Sequence, residues 1–244
     1  MLIFMTTGRL AARLGETTAA PCSTHQIESF APQACGRRSF GQPTRDPLPA
    51  IIYIHGFNSS PASFKARLIR ERLEQLGCAG AFRAPALPDR PAGAIATLEE
   101  EVAAAGPEAT LVGSSLGGYY ATWLAERHGL RAVLVNPAVE APRLLEGLLG
   151  PQTNLYTGEA YELTPQHLAE LRSFETGNIT RPERYLLLVT TGDEVLDYRK
   201  AMAKYRGCRQ IVVPGSDHGF GEFGDYVDDV LAFAGFVPAE ADRL

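Results

Sequence analysis

Thr110-Leu-Val-Gly113-Ser114-Ser115-Leu116-Gly117-Gly118 runs from an apolar stretch into G-x-S-x-G and then, without a break, into residues with helical spacing. In that order the pattern predicts a strand, a sharp turn and a helix, with one serine hydroxyl lifted out of the backbone at the turn. Ser115 is therefore the candidate nucleophile. Gly113 and Gly117 are expected to remove Cβ atoms where strand and helix would collide, and to permit the dihedral angles of the turn. A Gly- and Ser-rich loop also produces the pentapeptide by chance, so the reading depends on partners elsewhere in the chain.

Outward from this turn, short aliphatic runs alternate with longer amphipathic segments, the pattern of βαβ units around a mainly parallel sheet. Strands are expected at 50–54, 81–84, 109–112, 131–135, 185–190 and 209–213. Helices are expected over 61–76, around 98–105, and over 116–128 with Gly129 as its C-cap. The fold class is thus α/β, a mainly parallel sheet flanked by helices. Such sheets carry their ligands at the carboxyl ends of the strands.

That rule locates the partners of Ser115. The fifth strand is followed by Thr191-Gly192-Asp193-Glu194-Val195-Leu196-Asp197, and the sixth by Pro214-Gly215-Ser216-Asp217-His218-Gly219-Phe220. The chain order is Ser, acid, His. His218 would take the Ser115 proton, and Asp193 would orient the imidazole and stabilise its cation. The backbone N–H of Leu116, at the helix start, is one expected oxyanion donor. The loop after the first strand, His55-Gly56-Phe57-Asn58-Ser59-Ser60, supplies the other, with the Phe57 N–H preferred and the Asn58 side chain as a substrate contact.

Each residue has a plainer alternative. A histidine is more often structural than catalytic: His25 lies in the N-terminal region, His128 in the last turn of a helix, where positive charge is welcome, and His167 in an irregular polar stretch. His55 reads as a scaffold residue ordering its loop. Asp197 competes with Asp193 but is placed to cap a helix starting at Tyr198. Asp217 adjoins His218 and would diverge from it, Ser114 is the wrong serine of the pentapeptide, and Tyr119, Tyr120 and Trp123 read as helix packing.

The 244 residues are 45% hydrophobic and 21% charged, ordinary for one globular domain. A formal net charge of -5 offers no basic surface for a phosphate backbone, so nucleic acid is not an expected partner. No apolar segment approaches the roughly 20 residues of a membrane span. Cys22, Cys35, Cys78 and Cys208 show no metal or redox spacing and read as free thiols in a reducing compartment, which makes the cytoplasm the expected location. Residues 1–47 lack periodicity and read as a disordered or loosely packed extension, 48–236 as the organised domain, and 237–244 as a C-terminal tail.

Tyr53-Ile-His-Gly-Phe-Asn-Ser-Ser-Pro61, Gly113-Ser-Ser-Leu-Gly-Gly-Tyr-Tyr120, Asn136-Pro-Ala-Val139, Thr191 to Asp197 and Asp217-His-Gly-Phe220 together resemble the α/β-hydrolase superfamily and, within it, the small YqiA-type esterases. The resemblance covers residues 48–236; the N-terminal extension departs from it. It implies a compact hydrolase with a short cap, active on acyl esters, and needing no cofactor or metal. An acyl thioesterase using the same residues, or a non-catalytic binding protein of the same fold, is the alternative.

Between 137 and 182 the alternation breaks under repeated Pro and Gly, as expected of a cap over the site. Leu144, Leu145, Leu148, Leu149, Tyr156 and Tyr161 would line an apolar acyl pocket or merely bury the cap on the sheet.

Overall fold

The computed structural model describes residues 49–236. The strands are β1 (Ile51–Ile54), β2 (Phe82–Arg83), β3 (Thr110–Ser114), β4 (Arg131–Val135), β5 (Gly150–Thr153), β6 (Ala160–Leu163), β7 (Tyr185–Thr190) and β8 (Arg209–Val213). The helices are α1 (Phe64–Gln75), α2 (Pro91–Ala105), α3 (Leu116–His128), α4 (Ala141–Glu146), α5 (Pro165–Ser173), α6 (Tyr198–Lys204) and α7 (Val227–Ala234). Six strands form one parallel sheet in the order β2-β1-β3-β4-β7-β8. The sheet has helices on both faces: this is the α/β-hydrolase architecture expected from the sequence.

Two-residue periodicity divides the core. Ile52, Ile54, Leu111, Leu134, Leu187 and Val189 point into a layer with α2 and α3. Ile51, Tyr53, Val112, Val133, Leu186 and Leu188 point the opposite way, against α1 and α7. Strands covered on both faces have to be apolar at every position, which is why their sequence reads as continuous runs.

Several boundaries differ from expectation for local reasons. Helix α1 begins at Phe64 rather than 61, because Ser60 closes a turn first: its carbonyl accepts from the Ser63 N–H at 3.1 Å and its Oγ from the Ala62 N–H at 3.1 Å. Helix α2 contains the expected 98–105 stretch and extends seven residues ahead of it, with Pro91 at its first position, where the missing N–H costs nothing. The segment expected as a cap is a short helix, α4, an antiparallel β5–β6 hairpin and a second helix, α5; the hairpin was not foreseen.

Cys208 is a free, half-buried thiol, whereas Cys78 is disulfide-bonded, so the expectation of free thiols fails there. The 1–47 extension, the 237–244 tail, His25, Cys22 and Cys35 lie outside the described residues. Among the described residues no helix is long and apolar enough to cross a membrane.

Candidate active site

The turn between β3 and α3 is as sharp as its sequence implies, but the strain sits on a different residue. Ser115 itself holds φ 55° and ψ −120°, a conformation costly for a non-glycine residue. Gly113 and Gly117 are not in the left-handed region, which corrects the expected second role of the glycines. Their first role stands. A Cβ on Gly113 would lie 2.4 Å from the Gly117 carbonyl oxygen, and one on Gly117 would lie 2.0 Å from that of Ile54. The first turn of α3 thus rests directly on the backbone of β1 and β3.

Ser115 caps α3 with no hydrogen bond from its own side chain. Its Oγ lies 3.1 Å from His218 Nε2, and His218 Nδ1 lies 2.8 Å from Asp193 Oδ2. The pairs are 103 and 25 positions apart in the chain, and three separate loops bring them together. The Asp193 side chain is 1% exposed, that of His218 24%. The other Asp193 oxygen accepts from the N–H groups of Val195 at 2.9 Å and Leu196 at 2.7 Å, which fixes the carboxylate and leaves Oδ2 aimed at the imidazole.

The competing residues are occupied elsewhere. Asp197 caps α6, accepting from the Arg199 N–H at 3.0 Å. Asp217 accepts from the Phe220 N–H at 3.1 Å. His128 pairs with Glu99 at 2.6 Å. His167, expected in an irregular stretch, instead sits buried in a capping box at the start of α5, with its Nε2 3.3 Å from Asp89 Oδ2. Tyr119 and Tyr120 are buried in the core, although Tyr120 also reaches the cavity described next.

The expected oxyanion donors border one cavity. It has a volume of about 440 Å³ and is walled by Phe57, Asn58, Leu87, Leu116, Tyr120 and Tyr161 among others. Among the described residues, neither the Phe57 nor the Leu116 N–H has a hydrogen-bond acceptor. His55 stiffens this loop. Its Nε2 accepts from the Leu87 N–H at 3.3 Å and its Nδ1 faces the Gly56 carbonyl at 3.0 Å; burial holds its pKa below the usual histidine value and so keeps it neutral. Asn58, expected to touch substrate, is engaged by the hairpin on both ends of its amide: Nδ2 donates to Gln152 at 3.2 Å and Oδ1 accepts from the Tyr161 hydroxyl at 2.8 Å. The Leu155 N–H and the Asn154 amide add bonds to the Asn58 and Ser59 carbonyls at 3.0 and 2.9 Å.

Three positions were given no role by the sequence reading. Asn136, at φ 42° and buried, accepts from the Thr190 N–H at 2.9 Å and donates to its hydroxyl at 3.0 Å, while Thr190 Oγ1 donates to the Asp217 carbonyl at 3.1 Å. Glu194 accepts from the His218 N–H at 3.1 Å. Lys65 donates to the Gly219 carbonyl at 2.7 Å. Asn136 and Glu194 lie in stretches that carry the resemblance but were given no role, and Lys65 left a signal of its own: it shares the buried face of α1 with Ile69 and Leu73, where an apolar residue is the rule.

Across residues 50–235 the sequence matches the uncharacterised protein family UPF0227. The chain belongs to this family. Solved structures resemble this UPF0227 member in fold at low identity. A protein of Agrobacterium vitis S4, provisionally described as a hydrolase, superposes with a TM-score of 0.62 at 20% identity, over 79% of this chain and 90% of that one. The mouse alpha/beta hydrolase domain-containing protein 10 gives 0.56 at 19% identity, over 79% and 97%. Est1E from Butyrivibrio proteoclasticus gives 0.55 at 16% identity, over 79% and 88%. Among the described residues no cluster of side chains could hold a metal ion.

Proposed function

We propose that this UPF0227 member is a serine hydrolase acting on carboxylic esters of small acyl substrates through an acyl-enzyme. The observation that carries the reading is the hydrogen-bonded line from Asp193 through His218 to the strained Ser115, with the His218 nitrogens at 2.8 and 3.1 Å from their partners. His218 Nε2 takes the Ser115 proton as Oγ adds to the acyl carbon, and the buried Asp193 carboxylate stabilises the imidazolium that forms. The carbonyl oxygen, now an oxyanion, receives the N–H groups of Leu116 and Phe57 at the positive end of the α3 dipole. The imidazolium then protonates the leaving alkoxide as the C–O bond breaks. Water, deprotonated by the same histidine, releases the acid and restores Ser115. A thioester would pass through the same steps with a thiolate leaving.

The test treats wild type and Ser115→Ala with a fluorophosphonate probe and assays both on p-nitrophenyl esters from acetate to palmitate. The expected result is stoichiometric labelling of the wild type at Ser115 and a fall in turnover of at least about 1000-fold in the variant, together with loss of labelling. A wild type that neither labels nor turns over, beside a control hydrolase that does both, overturns the reading in favour of a binding protein.

A further inference from the structure

We propose that Lys65 is a positioning residue for His218, holding the backbone of the histidine loop so that the imidazole meets Ser115 Oγ. The inference rests on the triad reading above and extends it to a group in α1, outside the loops that carry the triad.

The loop is bent to a degree that its own sequence does not stabilise. Ser216 and Phe220, two residues to either side of His218, both adopt positive φ, at 57° and 54°. Non-glycine residues keep such angles only where surrounding contacts over-determine them. Contacts of that kind are present at each step: Thr190 holds the Asp217 carbonyl, Glu194 the His218 N–H, Lys65 the Gly219 carbonyl, and Asp217 the Phe220 N–H. Phe220 is itself fully buried and stacks edge-on against Phe223.

Among these supports Lys65 is the unusual one. The others are local or come from the neighbouring strand, whereas Lys65 reaches from a helix 154 positions away in the chain. It is 8% exposed, on a helix face otherwise made of Ala66, Ile69 and Leu73. A lysine there is unfavourable for folding, since burial pulls its ammonium down to about 8 against the opposing fields of Asp217 and Asp193. A methionine would fill the same space without that cost. What the methionine lacks is a donor for Gly219, and its absence would free the one residue joining His218 to the buried anchor Phe220.

The experiment compares Lys65→Met and Lys65→Arg with wild type by active-site titration with the fluorophosphonate, followed by the labelling rate per competent site. A residue that only supports the fold changes the number of competent sites and the melting temperature. A positioning residue changes the rate at each site. The expected result for Lys65→Met is a per-site labelling rate and kcat reduced about tenfold or more, with KM within about twofold and a full count of sites, because a base displaced from its proton loses much of its effect. Lys65→Arg, which keeps a charged donor on a long stem, recovers a substantial part of the rate. Lys65→Gln, a shorter neutral donor, replaces Lys65→Met if that variant does not fold. Unchanged per-site rates in the neutral variants overturn the assignment while leaving the triad reading intact. Failure of the wild type to label overturns both.

Discussion

At the scale of single residues, the site is a set of groups held against their own preferences. Lys65 makes this measurable. Its ammonium has an ordinary value in the unfolded chain but about 8 in the fold, so between about 8 and 10.5 the unfolded state binds the extra proton. The penalty is fully present below pH 8 and is relieved as pH rises through that window. Denaturant melts should therefore show the stability of the wild type, relative to Lys65→Met, rising by on the order of 2 kcal/mol between pH 7.5 and 10. A difference that stays flat or falls with pH would contradict a buried ammonium at this position. The sequence made Ser115, Asp193 and His218 readable because each follows a strand and is flanked by turn residues, a local signature. Asn136 also follows a strand and precedes Pro137, but that mark does not say which groups it meets, and Lys65 carries no such mark: what defines both is a carbonyl or N–H brought near by the tertiary fold. Lys65 was visible only as a charge on the wrong face of α1.

At the scale of elements, the fit of α3 onto the sheet admits no side chain at its start. Gly117→Ala places a Cβ 2.0 Å from a backbone oxygen of β1, an atom that cannot move without shifting the strand. The expected loss is about 3 kcal/mol or more in urea unfolding, together with loss of fluorophosphonate labelling. Gly147→Ala is the control, because its Cβ would meet nothing within 4 Å and its φ of −73° suits any residue. It should stay within about 0.5 kcal/mol of wild type. Central strands and α3 were legible in the sequence because burial on two faces, or one long face, imposes a strong period. The β5–β6 hairpin was not. Its first strand reads Gly-Pro-Gln-Thr, with no β-branched residue before the threonine, and it is exposed or half-exposed along its length. Nor was the first half of α2 legible, where Pro91-Ala-Gly-Ala resembles a loop until the proline is placed at a helix start.

At the scale of the whole molecule, the cap contributes to the site by a different route from the one its leucines suggest. Leu144, Leu148, Leu149 and Tyr156 are 38, 46, 42 and 52% exposed, and none of them lines the cavity beside Leu116; Leu145 is buried in the core. The part of this segment that reaches the cavity is the hairpin, through Asn154 and Tyr161, and it does so by gripping the loop that carries Phe57, Asn58 and Ser59. Replacing Leu144, Leu148 and Leu149 by serine should accordingly leave the preference among p-nitrophenyl esters from acetate to palmitate unaltered. Tyr161→Phe, which removes the hydroxyl held by Asn58, should lower kcat about tenfold or less through the loosened loop. A chain-length profile that tracks the leucines instead would return the acyl pocket to them.

The position of the cap in the chain has one more implication. It leaves the sheet at the end of β4 and re-enters at β7, and those two strands are immediate neighbours, with Val133 beside Leu186. Because the two strands are parallel, the excursion leaves where Val135 lies beside Leu188 and returns at the opposite end of the ladder, where Tyr185 lies beside Ala132, so it is a crossover connection. The ladder on either side does not register how long the excursion is or what it contains, and the entropy of closing it grows only slowly with its length. Its length can therefore vary at little cost to the sheet, whereas its hairpin cannot be exchanged without releasing the Asn58 amide and the Asn58 and Ser59 carbonyls that it holds.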